Sequence, residues 1–82
     1  MRITSPAMLA QALKNIRKER QLSQSVVADS VGLKQATISG FENQPEGSRV
    51  ETLFKLLTAL DLELHLSERN SEKPEAGWDQ EW

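Results

Sequence analysis

The sequence predicts a mainly α domain of four to five short helices, followed by one C-terminal β-strand that pairs across a homodimer. Three observations carry this expectation. Apolar residues recur at three- and four-residue spacing in separate blocks between Leu9 and Leu60, the period of a helix that buries one face. Capping and stop residues divide those blocks, at Ser5-Pro6, Ser23, Gly32 and Ser48. Beyond Asp61 the period falls to two. Leu62, Leu64 and Leu66 there alternate with Glu63, His65 and Ser67, the pattern of a half-buried strand.

The first helix opens at Ser5, whose hydroxyl suits an N-cap, with Pro6 at the first helical position, where a missing N–H is best tolerated. Leu9, Ala12, Leu13 and Ile16 form its inward stripe, Lys14, Arg17 and Lys18 are placed off it, and the pattern ends near Arg20-Gln21. Ser23 caps a short second helix with Val27, Ala28 and Val31 on its buried side. Gly32 supplies the left-handed residue that stops it, and Leu33 follows as an apolar plug. A third helix runs from Lys34 or Gln35 to Glu42, with Ile38 and Phe41 inward and Gln35, Ala36, Ser39 and Gly40 outward. Asn43-Gln44-Pro45-Glu46-Gly47 is a loop by every local signal. Ser48-Arg49-Val50-Glu51 has the spacing of a capping box. It introduces a fourth helix, which Leu53, Phe54, Leu56, Leu57 and Leu60 make the most apolar of the set.

The strand implies a partner. Alone it leaves a row of backbone N–H and C=O groups unpaired, and within the chain only the very short Arg2-Ile3-Thr4 could sit beside it. The simplest solution pairs Leu62, Leu64 and Leu66 with the same strand of a second copy, antiparallel about a two-fold axis. The alternative is irregular chain over 62–67 that packs on the core.

Composition narrows the class further. Eighty-two residues make one small domain, a size at which a single core is only marginally stabilising. With no cysteine, neither a disulfide nor a thiolate metal site can add to it, and oligomerisation is the remaining remedy. The same absence fits a reducing cytoplasm. No apolar run approaches the ~20 residues of a membrane span, and no charged-then-apolar leader opens the chain, so a soluble, unexported protein is expected. The net charge of −2 argues against a nucleic-acid partner only until its distribution is considered. Residues 1–40 carry Arg2, Lys14, Arg17, Lys18, Arg20 and Lys34 against Glu19 and Asp29 alone, whereas residues 69–82 are acidic. A basic N-terminal half and an acidic tail suggest two different partners. The expected division is a compact domain over 1–68 and a disordered acidic tail over 69–82.

The stretch from Leu22 to Glu42 carries the function. Two short helices joined at a glycine, with an apolar residue in the turn, form a helix-turn-helix. In such a unit the second helix enters the DNA major groove and the first lies across the backbone. Lys34 can reach guanine O6 and N7, Gln35 can pair bidentately with adenine, Ala36 offers a methyl to thymine, and Ser39 is a short hydroxyl. Gln24, near the start of the first of the two helices, can bind a phosphate by side chain and backbone amide, aided by the helix dipole. Thr37, Lys14, Arg17 and Lys18 are the other candidate phosphate contacts, and Gly40 either admits close approach or leaves a base pair unread. The alternative is an ordinary solvated helix face. Against it, no acid occurs from Lys34 to Phe41 in a chain that is 27% charged.

The block from Leu9 to Leu60, with Leu22-Ser23-Gln24, Gly32-Leu33 and Thr37-Ile38-Ser39 followed by Phe41-Glu42, resembles the Cro/C1-type helix-turn-helix (lambda repressor-like) family. More closely, Lys34-Gln35-Ala36-Thr37-Ile38-Ser39, Phe41-Glu42-Asn43, the Ser5-Pro6 opening, the leucine-alternating strand and the Glu81-Trp82 ending are similar to the HipB-like antitoxins of the HipBA toxin–antitoxin family. Where this sequence has Gly40, that family has Asn. The resemblance implies a homodimer with paired C-terminal strands that represses its own operon at palindromic operators. It also implies binding and neutralisation of a HipA-type serine/threonine kinase toxin, with the protein in the bacterial cytoplasm and at the nucleoid when on DNA.

Trp78 and Trp82 are exceptional in a polar tail. Tryptophan is favoured as an interface anchor, and with the resemblance Trp82 is the expected toxin-docking residue, Trp78 a second candidate; the alternative is a frayed end whose rings fold back on the domain. His65 is the only histidine and alternates with leucines, which places it on the polar face of the strand rather than in a site. No nucleophile–base pair and no phosphate-cradling loop is visible, so neither an enzyme nor a cofactor or metal is expected. Three readings stay open from the sequence: a repressor that is also an antitoxin, a stand-alone repressor with no protein partner beyond itself, and a helix-turn-helix module used solely for protein contact.

Overall fold

A computed structural model describes residues 1–69. Four α-helices follow one another: α1 (Pro6–Glu19), α2 (Gln24–Ser30), α3 (Gln35–Asn43) and α4 (Val50–Ala59), with a short 3₁₀ turn, Pro45–Gly47, between the last two. Each expected helix is present within a residue or two of its expected ends.

The helix starts follow the local chemistry with one exception. The Ser5 hydroxyl accepts from the Met8 N–H at 3.2 Å and the Ser23 hydroxyl from the Val26 N–H at 3.1 Å, each satisfying an orphan donor of the first turn. The capping box expected at Ser48 does not form. Ser48 ends the 3₁₀ turn, its N–H donating to the Pro45 carbonyl at 3.0 Å, and Arg49 becomes the N-cap of α4 with no side-chain cap bond. Pro45 presets the turn that absorbs Ser48, and so moves Glu51 one position too early in the helix to complete the box.

The helix ends share one device. After α1, α2 and α4 a residue takes a left-handed conformation: Gln21 at φ 59°, Gly32 at φ 72° and Asp61 at φ 56°. The next residue in each case is a leucine whose N–H reaches five residues back: Leu22 to the Arg17 carbonyl (3.0 Å), Leu33 to Ala28 (2.9 Å) and Leu62 to Leu57 (2.8 Å). This is the Schellman arrangement, in which the residue after the left-handed one makes an apolar contact back onto its helix. All three leucines are half-buried against the core. Leu33 thus serves as the expected plug, and Leu62 is anchored on its own domain.

The core is made by Ala10, Leu13, Val27, Ala28, Ile38, Phe41, Leu56, Leu57 and Leu60. Ile38 and Ala28 are wholly inaccessible. α2 packs most extensively on α3, α1 lies against α3, and α4 closes the bottom against α2 and α3. Arg20, the C-cap of α1, donates to the carbonyl of Leu60, the C-cap of α4, tying the ends of the two helices together. One apolar expectation is corrected: Val31 is only half-buried. Phe54 is exposed because α4 carries more apolar residues than its core-facing side can cover. Among the described residues no strand ladder forms: 62–68 lies outside any helix or sheet in the single chain. Leu64 and Leu66 are exposed, Leu66 at 81%. The tail beyond Arg69, with Trp78 and Trp82, lies outside the described residues.

Candidate nucleic-acid interface

The turn at Gly32 and Leu33 sets α3 against α2 so that Ile38 and Phe41 are buried and the start of α3 stands clear. Lys34 is the N-cap, and its side chain is exposed. Lys34, Gln35, Ala36 and Gly40 are exposed, Ser39 and Thr37 half-buried. The expected base-reading residues Lys34, Gln35, Ala36 and Ser39 therefore share one surface at the N-terminal end of a helix, where the backbone dipole is positive. Asn43, one turn on from Ser39, donates to its hydroxyl at 3.2 Å. No Cβ clash would arise at Gly40, so the fold itself does not require glycine there.

Gln24 opens α2 beside this surface. Its carbonyl oxygen accepts from the Gln35 amide at 2.6 Å, so the candidate phosphate contact and the candidate base contact touch. Lys18 is exposed and Lys14 half-buried on α1. Arg49, which the sequence reading passed over, lines a shallow depression with Thr37 and Gly40 and is exposed. As a cation bordering α3 it joins the candidate phosphate contacts. In the sequence its place inside the Ser48–Glu51 capping pattern hides its side chain.

Arg17 is the correction. Expected at phosphate, it is buried at 8% exposure and holds Glu42 of α3 by two bonds, Nε to Oε2 at 2.7 Å and Nη2 to Oε1 at 3.0 Å. Its third nitrogen donates to the Leu22 carbonyl at 2.8 Å. The guanidinium is engaged on both edges and cannot reach DNA. A signal was available: Arg17 follows Leu13 by four residues and so lies on the buried stripe. Burial on its own would raise the Glu42 pKa, but the hydrogen bonds from Arg17 and Gln24 and the charges of Arg17 and Lys14 outweigh it, and the carboxyl titrates below the ordinary value of 4.5. Glu42 stays an anion at neutral pH.

Among the described residues His65 meets Glu63 at 2.7 Å, and both side chains are highly exposed. Among the described residues no group of acidic, histidine or cysteine side chains could hold a metal, and no helix is long and apolar enough to cross a membrane.

Comparison with known proteins agrees with this geometry. The model of the helix-turn-helix family matches residues 13–66. The chain is 42% identical to antitoxin HipB of Escherichia coli O6:H1 (strain CFT073), over 99% of this chain and 88% of that protein. With antitoxin HipB of Escherichia coli (strain K12) it shares 41% identity, over 92% of this chain and 85% of the relative. Among solved structures, a HipA-HipB-O2-O3 complex and a HipB-O4 20mer complex each contain a chain superposing with TM-score 0.82 at 43% identity, covering 83% of this chain and 96% of theirs.

Proposed function

The chain belongs to the helix-turn-helix family and, within it, to the HipB antitoxins, and from that premise we propose that it is an antitoxin and the repressor of its own operon. It acts as a homodimer that binds palindromic operator DNA and holds a HipA-type serine/threonine kinase toxin. Its similarity to chains of a HipA-HipB-O2-O3 complex and a HipB-O4 20mer complex supports both partners. It is a binding protein and not an enzyme. Its place is the cytoplasm, and the nucleoid when it is on DNA.

The observation that carries the DNA reading is the acid-free, exposed start of α3. Lys34, Gln35, Ala36 and Ser39 read base edges. Gln24, Thr37, Lys14 and Lys18, with Arg49 added and Arg17 removed, contact phosphates and fix register. The exposed Leu64 and Leu66 meet their counterparts across the two-fold axis, with Leu62 anchoring the start of the segment on its own core. The acidic tail with Trp82, and Trp78 beside it, is the toxin-facing segment.

Two substitutions test the reading. Lys34→Ala and Gln35→Ala should each cost about 1–3 kcal/mol of specific operator affinity and leave affinity for unrelated DNA nearly unchanged. Equal loss on both DNAs would reduce α3 to a non-specific contact. Deleting residues 70–82 should weaken binding of the kinase and leave operator binding intact; unaltered kinase binding would remove the tail from the interface.

A further inference from the structure

Four side chains form one hydrogen-bonded line from the interior to the reading surface. Arg17 grips Glu42, whose side chain is 4% exposed. Glu42 Oε1 accepts from Gln24 Nε2 at 2.9 Å, and Gln24 Oε1 accepts from Gln35 Nε2 at 2.6 Å. An ionised carboxylate has acceptors only, so it takes the NH₂ end of the Gln24 amide and repels its carbonyl. That turns the Gln24 carbonyl toward Gln35, which can then answer only with its own N–H. Each amide could flip in isolation, but the anion at the buried end removes the choice for both.

Resting on the DNA reading above, we propose that Glu42 is a specificity-positioning residue. Through Gln24 it fixes which end of the Gln35 amide faces the base, so that Gln35 presents its carbonyl oxygen and one remaining N–H in a set order. That order matches the N6 donor and N7 acceptor of adenine. Reversal of the amide would exchange the donor and acceptor positions and mismatch the same edge. Glu42 itself touches no base; the selectivity of Gln35 is set two hydrogen bonds away.

The test is selection from a duplex library randomised across a palindromic 20-base-pair site, with wild type, Gln35→Ala, Glu42→Gln and Gln24→Ala. Gln35→Ala identifies the position Gln35 reads. Glu42→Gln keeps an acceptor for Arg17 but can donate as well, which frees Gln24 to flip. Gln24→Ala cuts the line while leaving the ion pair whole, and serves if the buried variant does not fold. Both should reduce adenine preference at the Gln35 position by about fivefold or more and leave preferences at the other positions unchanged. In a Gln35→Ala background neither should alter that position further. Uniform loss of affinity with unaltered preference at the Gln35 position would overturn the relay and leave Glu42 a structural residue. If Gln35→Ala itself changes no preference, it is the DNA reading that fails.

Discussion

At the residue scale the decisive pair is Arg17 and Glu42. Removing either leaves the other charged, desolvated and unpaired, a loss of about 3–5 kcal/mol for a fully buried pair. Arg17→Ala should therefore lower thermal stability by roughly 3 kcal/mol, whereas Lys18→Ala, at an exposed site, should leave stability within about 0.5 kcal/mol and only weaken DNA binding. Similar melting temperatures for the two variants would contradict the burial of Arg17. The lowered pKa of Glu42 gives a pH dependence with a definite sign. A carboxyl whose folded value lies below its unfolded one contributes stability that is fully present above the unfolded value and is lost as the pH falls through the folded one. Melting temperature should thus be flat from neutrality to about pH 5 and fall below it, with Glu42→Gln flattening that acid limb. The polar reading residues were legible in sequence because exposure and side-chain chemistry identify them. The ion pair was not, since its members are 25 residues apart and only the packing of α1 on α3 brings them together.

At the scale of elements, helix spans followed from period and caps, which are local. The misplaced cap at Ser48 arose because two local signals competed, and the proline-started turn took the serine that the box required. The Schellman ends show what a sequence hides most readily. Gly32 announced its left-handed turn, but Gln21 and Asp61 adopt the same conformation without glycine, at a cost of about 1 kcal/mol each. What holds them there is the apolar contact of the leucine that follows. Gln21→Gly and Asp61→Gly should raise stability, while Gly32→Val should lower it by at least as much, read by thermal unfolding. Stability falling on both glycine substitutions would show that the Gln21 and Asp61 side chains themselves stabilise the fold. In α3, Gly40→Ala has room and should add about 0.5–1 kcal/mol of stability. Loss of operator affinity on the same change would assign Gly40 to close approach of the DNA backbone.

At the scale of the whole molecule, a domain with one small core exposes Phe54, Val50, Leu64 and Leu66. The strand period of 62–67 was legible, yet in a single chain it produces no ladder, because a lone strand has nothing to pair with. Its outer leucines are exposed for the same reason. Two-fold pairing there would set two reading helices facing successive major grooves, about one helical turn apart, so that a palindrome is bound by both. The measurement that tests this most directly is the stoichiometry and affinity of the intact chain on a palindromic operator from upstream of its own coding sequence, compared with Leu64→Asp plus Leu66→Asp. The account predicts two protomers per palindrome for the wild type. For the variant it predicts a monomer in sedimentation, folded but retaining only weak, half-site binding. A wild-type monomer that binds a single half-site with full affinity, or a variant that still binds as a dimer, would contradict it.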